Sequence, residues 1–327
     1  MADKTGGALT DQERAWLEPA YRFDRDGWVF VHIEGDGFER GFQHGYLLSA
    51  EIAEVLRVAR FLTEWATGND FAYFSEMAMQ MYADKIDQEF IDEMTGIAAG
   101  ATKAGVPLSF SEILAWNANV EMTESWWPLI ASDPPQPNAK PHRCSAFIAN
   151  GSYTTDGQIV LAHNTWDTYP NAAHTRIALD IKPSKGHRVM MQTSPGYIHS
   201  GTDFFVIDSG IIGAETTISG FEKYDVNGAP ECFRVRKAMQ YGDDIDQWMD
   251  IMKERNNGGY ANSWLLGDIH SNEIVRFELG LKFAGVTRKD DGYFWGCNII
   301  SDLKGAGPID LAMLNVASRS LRKLMDA

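Results

Sequence analysis

Three features of the sequence predict an α+β fold. Helical periodicity dominates up to residue 131, strand-like alternation dominates from residue 144, and a proline-rich stretch, Asp133-Pro134-Pro135-Gln136-Pro137-Asn138-Ala139-Lys140-Pro141, separates them. Segregated helices and antiparallel strands, rather than alternating β-α-β units, define that class. The 327 residues are 44% hydrophobic, enough for one large core or two small ones, and the sequence carries no internal repeat.

In chain order, residues 1–20 read as a polar arm with a short helix at 11–17. Residues 27–34 alternate as a first strand, and Gly35-Asp36-Gly37 ends it. A helix follows, with Ile52, Val55, Leu56, Ala59 and Leu62 on one face. Further helical patterns occupy 72–83 and 85–103, and Ser109 or Ser111 caps a last helix through Ile113, Leu114 and Asn119. His44 is expected to act as a core or capping histidine among close-packed glycines.

After the proline-rich stretch the pattern changes to period two. Residues 145–149 and 158–162 form two strand-like runs, joined through Asn150-Gly151 and Asp156-Gly157 turn signals, and predict a β-hairpin. Strands are expected at 178–183, 188–193, 204–208 and 210–218, then helices at 234–238 and 245–253. A second hairpin follows at 260–268 and 273–278, with a strand at 293–300 and a final helix at 309–325.

Charge and cysteine content narrow the function. A net charge of −16 and a pI near 4.9 oppose nucleic-acid binding, which needs clustered Lys and Arg. No apolar run approaches the ~18 residues of a membrane span, and the first residues lack a secretory pattern, so a cytoplasmic location is expected. Three widely spaced cysteines suggest neither a disulfide framework nor a zinc site; Cys232 and Cys297 are expected as small core residues. The histidines lack HExxH spacing and the acids lack a calcium-loop pattern, so no metal or other cofactor is called for.

Cys144 opens the first strand of the hairpin, and His163 and Asn164 close the second, so the fold-back brings them near one another. A thiol facing a His and an Asn is a plausible catalytic arrangement, and its position immediately after the proline-rich stretch matches a pro-segment joined to a catalytic segment. Cys144-Ser145-Ala146-Phe147 followed by Ala162-His163-Asn164-Thr165-Trp166 closely resembles the N-terminal-nucleophile (Ntn) hydrolases of the phospholipase B-like group. It is also similar to the acyl-coenzyme A:6-aminopenicillanate acyltransferase family, peptidase family C45. Arg40-Gly41-Phe42-Gln43-His44-Gly45 and the stretch 90–119 resemble the openings of those proenzymes.

The resemblance implies a four-layer αββα sandwich, two antiparallel sheets between helical layers. It implies autocatalytic cleavage between Arg143 and Cys144, giving a mostly helical pro-segment or α-chain, 1–143, and a catalytic β-chain, 144–327, interlocked in one domain. The freed α-amine of Cys144 would be the general base; an α-amine titrates near ~8, where it can take up a proton. By resemblance His163 orients the amine and thiol, with Asn164 and Trp166 on the same pocket wall. Asn262 contributes to the oxyanion hole, Thr217 and Trp264 line the pocket, and Arg319 is the distal active-site arginine.

The function expected is a cysteine amidohydrolase or acyltransferase acting on a small acylated amide. A phospholipase B-like lipid esterase and a non-catalytic binding module with the same fold are the alternatives. A homodimer is compatible with the sequence, which does not specify the acyl or leaving group.

Overall fold

Helix α1 (Asp11–Leu17) begins with a reciprocal cap: Thr10 Oγ1 accepts the Glu13 N–H while the Glu13 carboxylate accepts the Thr10 N–H. The computed structural model describes residues 7–131, 144–218, 221 and 223–301. Arg143, Arg319 and the helix expected at 309–325 lie outside the described residues.

Five longer helices fill the N-terminal part: α2 (Gly37–Leu47), α3 (Ser49–Thr67), α4 (Phe71–Tyr82), α5 (Gln88–Lys103) and α6 (Phe110–Asn117). Helices α2 and α5 touch backbone to backbone because glycines recur every fourth residue on their facing sides. A Cβ on Gly41 would stand 2.0 Å from the Glu93 carbonyl oxygen, and one on Gly100 would stand 2.1 Å from that of Phe42. Beside this contact Arg40 reaches Glu93 at 2.8 Å and Glu89 at 2.9 Å, and Arg236 reaches Glu93 at 3.2 Å. His44, fully buried in α2, accepts the Gly196 N–H at 2.9 Å through Nε2, as a core histidine should.

The strands are β1 (Tyr21–Arg25), β2 (Trp28–Gly35), β3 (Ser145–Asn150), β4 (Val160–Asn164), β5 (Ile177–Pro183), β6 (Val189–Thr193), β7 (Phe204–Ile207), β8 (Ile211–Thr217), β9 (Asn262–Asp268), β10 (Glu273–Leu279), β11 (Ala284–Lys289) and β12 (Gly292–Gly296). Nine of them form one sheet in the order β1-β2-β5-β6-β7-β8-β9-β10-β11, and three form a second in the order β12-β3-β4. All pairings are antiparallel except β2 with β5, which run parallel, Val29 opposite Ile177. That pair joins sequence from both sides of the proline-rich stretch in one sheet.

The large sheet is buried on one side by the helices. Ile211, Trp264, Leu266 and Phe277 belong to the core shared with α3, α4 and α5, whereas Ala214, Leu265 and Ile274 pack with Ala146, Ile148 and Phe294 of the small sheet. Alternation along each strand produces this split. The outward face of the small sheet carries Phe147, Val160, Tyr293 and Trp295, all exposed. The α+β class and the sheet-on-sheet packing follow the expectation. No described helix is long and apolar enough to cross a membrane.

Candidate active site

Cys144 stands one residue before β3 and is only 6% exposed. The β3–β4 register pairs Ala146 with His163 and Ser145 with Asn164. Directly opposed residues share a face, so His163 shares the inward face with Ala146 and Cys144, and Asn164 points outward with Ser145. Asn164 is exposed and donates weakly to Ser145 Oγ at 3.4 Å. The hairpin therefore brings His163, rather than Asn164, to the thiol's side.

Trp166 addresses the thiol through its backbone: its N–H donates to Cys144 Sγ at 3.4 Å, while its side chain is 62% exposed. Burial, together with the charges of Asp203 and Asp167, pushes the Cys144 thiol up; the Trp166 N–H pulls it partly back. A thiol so placed stays protonated at neutral pH until a base removes its proton.

His163 has a defined proton arrangement. Thr165 Oγ1 donates its one proton to the Thr202 carbonyl at 3.0 Å and lies 3.3 Å from His163 Nδ1, so Nδ1 is the donor in that second contact. His163 Nε2 is buried and makes no close hydrogen bond among the described residues, while the Glu215 backbone lies near the ring. Burial holds the ring below its ordinary pKa, hence neutral.

Strands β8 and β9 supply the floor, with Thr217 opposite Asn262 and Glu215 opposite Trp264. Asn262 is almost fully buried, and neither its amide nitrogen nor its oxygen has a hydrogen-bond partner among the described residues. Thr217 accepts the Asn298 amide through its carbonyl at 2.9 Å. Trp264 packs edge-on against Trp248 at 5.1 Å in the helix-facing core, which makes it part of the support beneath the site.

Three acids complete the surroundings, and two of them, Asp203 and Glu231, belong to no recognisable sequence pattern. Glu215 is fully buried against the Asp203 carboxyl, with which it shares a hydrogen bond, and burial beside Asp203 and Cys144 holds it well above the usual carboxylate range. Burial pushes Asp203 up to about 7 and Glu231 up to about 8. Glu231, Asp203, Asp167 and Tyr260 line a cleft with about 80 Å³ of room, to which Cys232 also contributes; Cys297 is exposed rather than buried. Cys144 does not itself line the cleft, but Asp203 and Asp167 lie within electrostatic reach of its thiol.

A family profile described as phospholipase B matches residues 58–284, a span that contains Cys144, His163, Thr217 and Asn262. An uncharacterised protein of Archaeoglobus fulgidus is 25% identical over 245 residues, covering 71% of this chain and 40% of that protein. Phospholipase B-like 1 of Bos taurus is 26% identical over 276 residues, covering 71% of this chain and 48% of its own length. Phospholipase B-like 1 of Homo sapiens is 33% identical over 123 residues, 34% of this chain and 22% of that protein. The chain thus spans less than half the length of these relatives. It belongs to the phospholipase B family.

Proposed function

We propose that this member of the phospholipase B family is a hydrolase whose nucleophile is Cys144, activated after the chain cuts itself between Arg143 and Cys144. The observation that carries the reading is a buried thiol at the head of β3, with the neutral ring of His163 on its side of the hairpin. No cation acts on that thiol among the described residues, so deprotonation requires a base. An α-amine on Cys144 itself would supply one at a fixed distance.

In the proposed reaction the amine takes the thiol proton and the sulfur attacks an acyl carbonyl. Donors collapse onto the resulting oxyanion, for which the Trp166 N–H and the unpartnered Asn262 amide are the candidates. The C–N bond breaks as the leaving amine collects the proton, leaving a thioester. Water then attacks the thioester, its proton going to the α-amine, and the acid and free thiol are released. His163, neutral and held by Thr165, orients the amine and thiol. Transfer of the acyl group to an amine in place of water uses the same site, and Arg319 is proposed as a distal contributor.

A lipid ester is the second reading, favoured by the name phospholipase B-like 1 carried by two relatives. The test begins with intact mass and N-terminal sequencing of wild type beside Cys144→Ala. A fragment starting at Cys144 in the wild type alone is the expected result, together with a loss of at least ~10³-fold in turnover for the variant. If both stay a single chain and the wild type still hydrolyses acyl amides, the self-cleavage step is wrong and His163 becomes the base. Parallel assays on acyl amides and lysophospholipids separate the two substrate readings.

A further inference from the structure

The cleft beside the thiol contains more buried acid than the reaction above uses. No Lys or Arg among the described residues lines it. Glu231 is 6% exposed, and its backbone N–H donates to Glu121 at 2.9 Å, yet its carboxylate faces the cleft with no hydrogen bond or ion pair among the described residues. The neighbouring Arg234 directs its guanidinium to the carbonyls of Ala229 and Met252 and to Asn257 Oδ1. Glu121, by contrast, already receives Tyr82, Tyr224 and Asn257. His199 Nε2, also on the lining, is buried without a partner.

We infer that this cleft receives a primary ammonium group carried by the acyl substrate, with Glu231 as its counter-charge and Asp203 and His199 as further hydrogen-bond acceptors. The inference rests on the hydrolase reading and names its substrate class. Three considerations fix the ligand. A phosphate would meet carboxyl groups and no lining Lys or Arg among the described residues, so a phosphodiester headgroup does not suit the cleft. A quaternary ammonium has no N–H for the waiting acceptors, whereas a primary one has three. The room of about 80 Å³ admits more than one water and so a small polar group.

Other features agree. The carboxylates do not converge as metal ligands among the described residues. Asp203 and Asp167 act on Cys144, whereas Glu231 lies beside Glu121 and Arg234. Burial holds Glu231 largely protonated in the empty site, and an arriving ammonium favours its ionised form and drives that proton out.

The experiment compares N-dodecanoyl ethylenediamine, whose leaving group ends in an ammonium, with N-dodecanoyl propylamine, its neutral isostere, on the purified full chain. A kcat/KM at least ~10-fold higher for the charged amide is expected, since a charge-assisted hydrogen bond is at stake. Glu231→Gln, isosteric at its site, brings the ratio toward one. Asp203→Asn, tolerated by a left-handed backbone at φ 62°, lowers it less. Equal rates for the two amides, or a preference that survives both substitutions, overturns the inference while leaving the hydrolase intact. If neither amide is cleaved, the amidase reading has failed. The cleft is then judged by thermal shift with ethylammonium chloride against potassium chloride: stabilisation lost in Glu231→Gln supports a cation site, and no stabilisation overturns it.

Discussion

Two buried charge clusters in this molecule are built on opposite terms. Between α2 and α5, Arg40 and Arg236 meet Glu89 and Glu93 within 3.2 Å, so each buried charge faces its opposite. Around the thiol, Asp203, Glu215 and Glu231 are buried beside one another, and the nearest guanidinium, Arg234, is occupied by carbonyls. The first cluster balances its charges and holds elements in register, although Glu93 Oε1 and Arg236 Nε and Nη1 make no hydrogen bond among the described residues. The second is an acid surplus without a matching cation, an arrangement often found at sites.

The contrast is broken most severely by attacking the balanced cluster. Glu93→Ala leaves two buried guanidiniums without their shared carboxylate, and a loss of ~3–5 kcal/mol is expected in urea unfolding. A loss below ~1 kcal/mol would mean that the cluster is not formed in solution. Gly41→Ala is next: its new Cβ would fall 2.0 Å from the Glu93 carbonyl, forcing α2 and α5 apart at a cost of ~1–3 kcal/mol, read by thermal unfolding.

The smallest expected effect sharpens the other half of the comparison. Glu231 has its folded pKa raised by burial, so between its ordinary value and about 8 the folded state binds the extra proton and stability falls as pH rises. Glu231→Gln removes that contribution. Its stability relative to wild type should therefore improve steadily from pH 5 to pH 8, measured by urea midpoints. A variant whose stability tracks wild type across that range would place Glu231 in contact with water.

Much of the scaffold was legible because it depends on local pattern. The β3–β4 hairpin follows from alternation and two glycine turns, and with it the approach of His163 to Cys144. The pattern also carries a distinction that residue types alone hide: a period of two sends Asn164 outward although it adjoins His163. Strands β1 and β11 were not expected. Tyr21–Arg25 lies in a charged stretch, and Ala284–Lys289 alternates small and polar residues; pairing with β2 and β10 makes each a strand.

The acids of the site were illegible for a different reason. Asp203 follows Gly201-Thr202 in an ordinary turn sequence, and Glu231 reads as a first-turn helix acid. Only tertiary burial distinguishes them from solvated carboxylates. Glu215 offered one hint, an acid inside an otherwise apolar strand, where an unpaired charge is costly.

The parallel pairing of β2 with β5 also constrains how the protein is made. Val29 waits for Ile177, 177 − 29 = 148 positions later, so one edge of the large sheet stays open while most of the helices have already left the ribosome. Closing so long a loop is slow, and until it closes β2, paired with β1 on one side only, presents an open edge on the other. Biogenesis, more than final stability, is therefore the stage at which this chain is most exposed to misassembly, and slower translation past residue 183 would lengthen that interval.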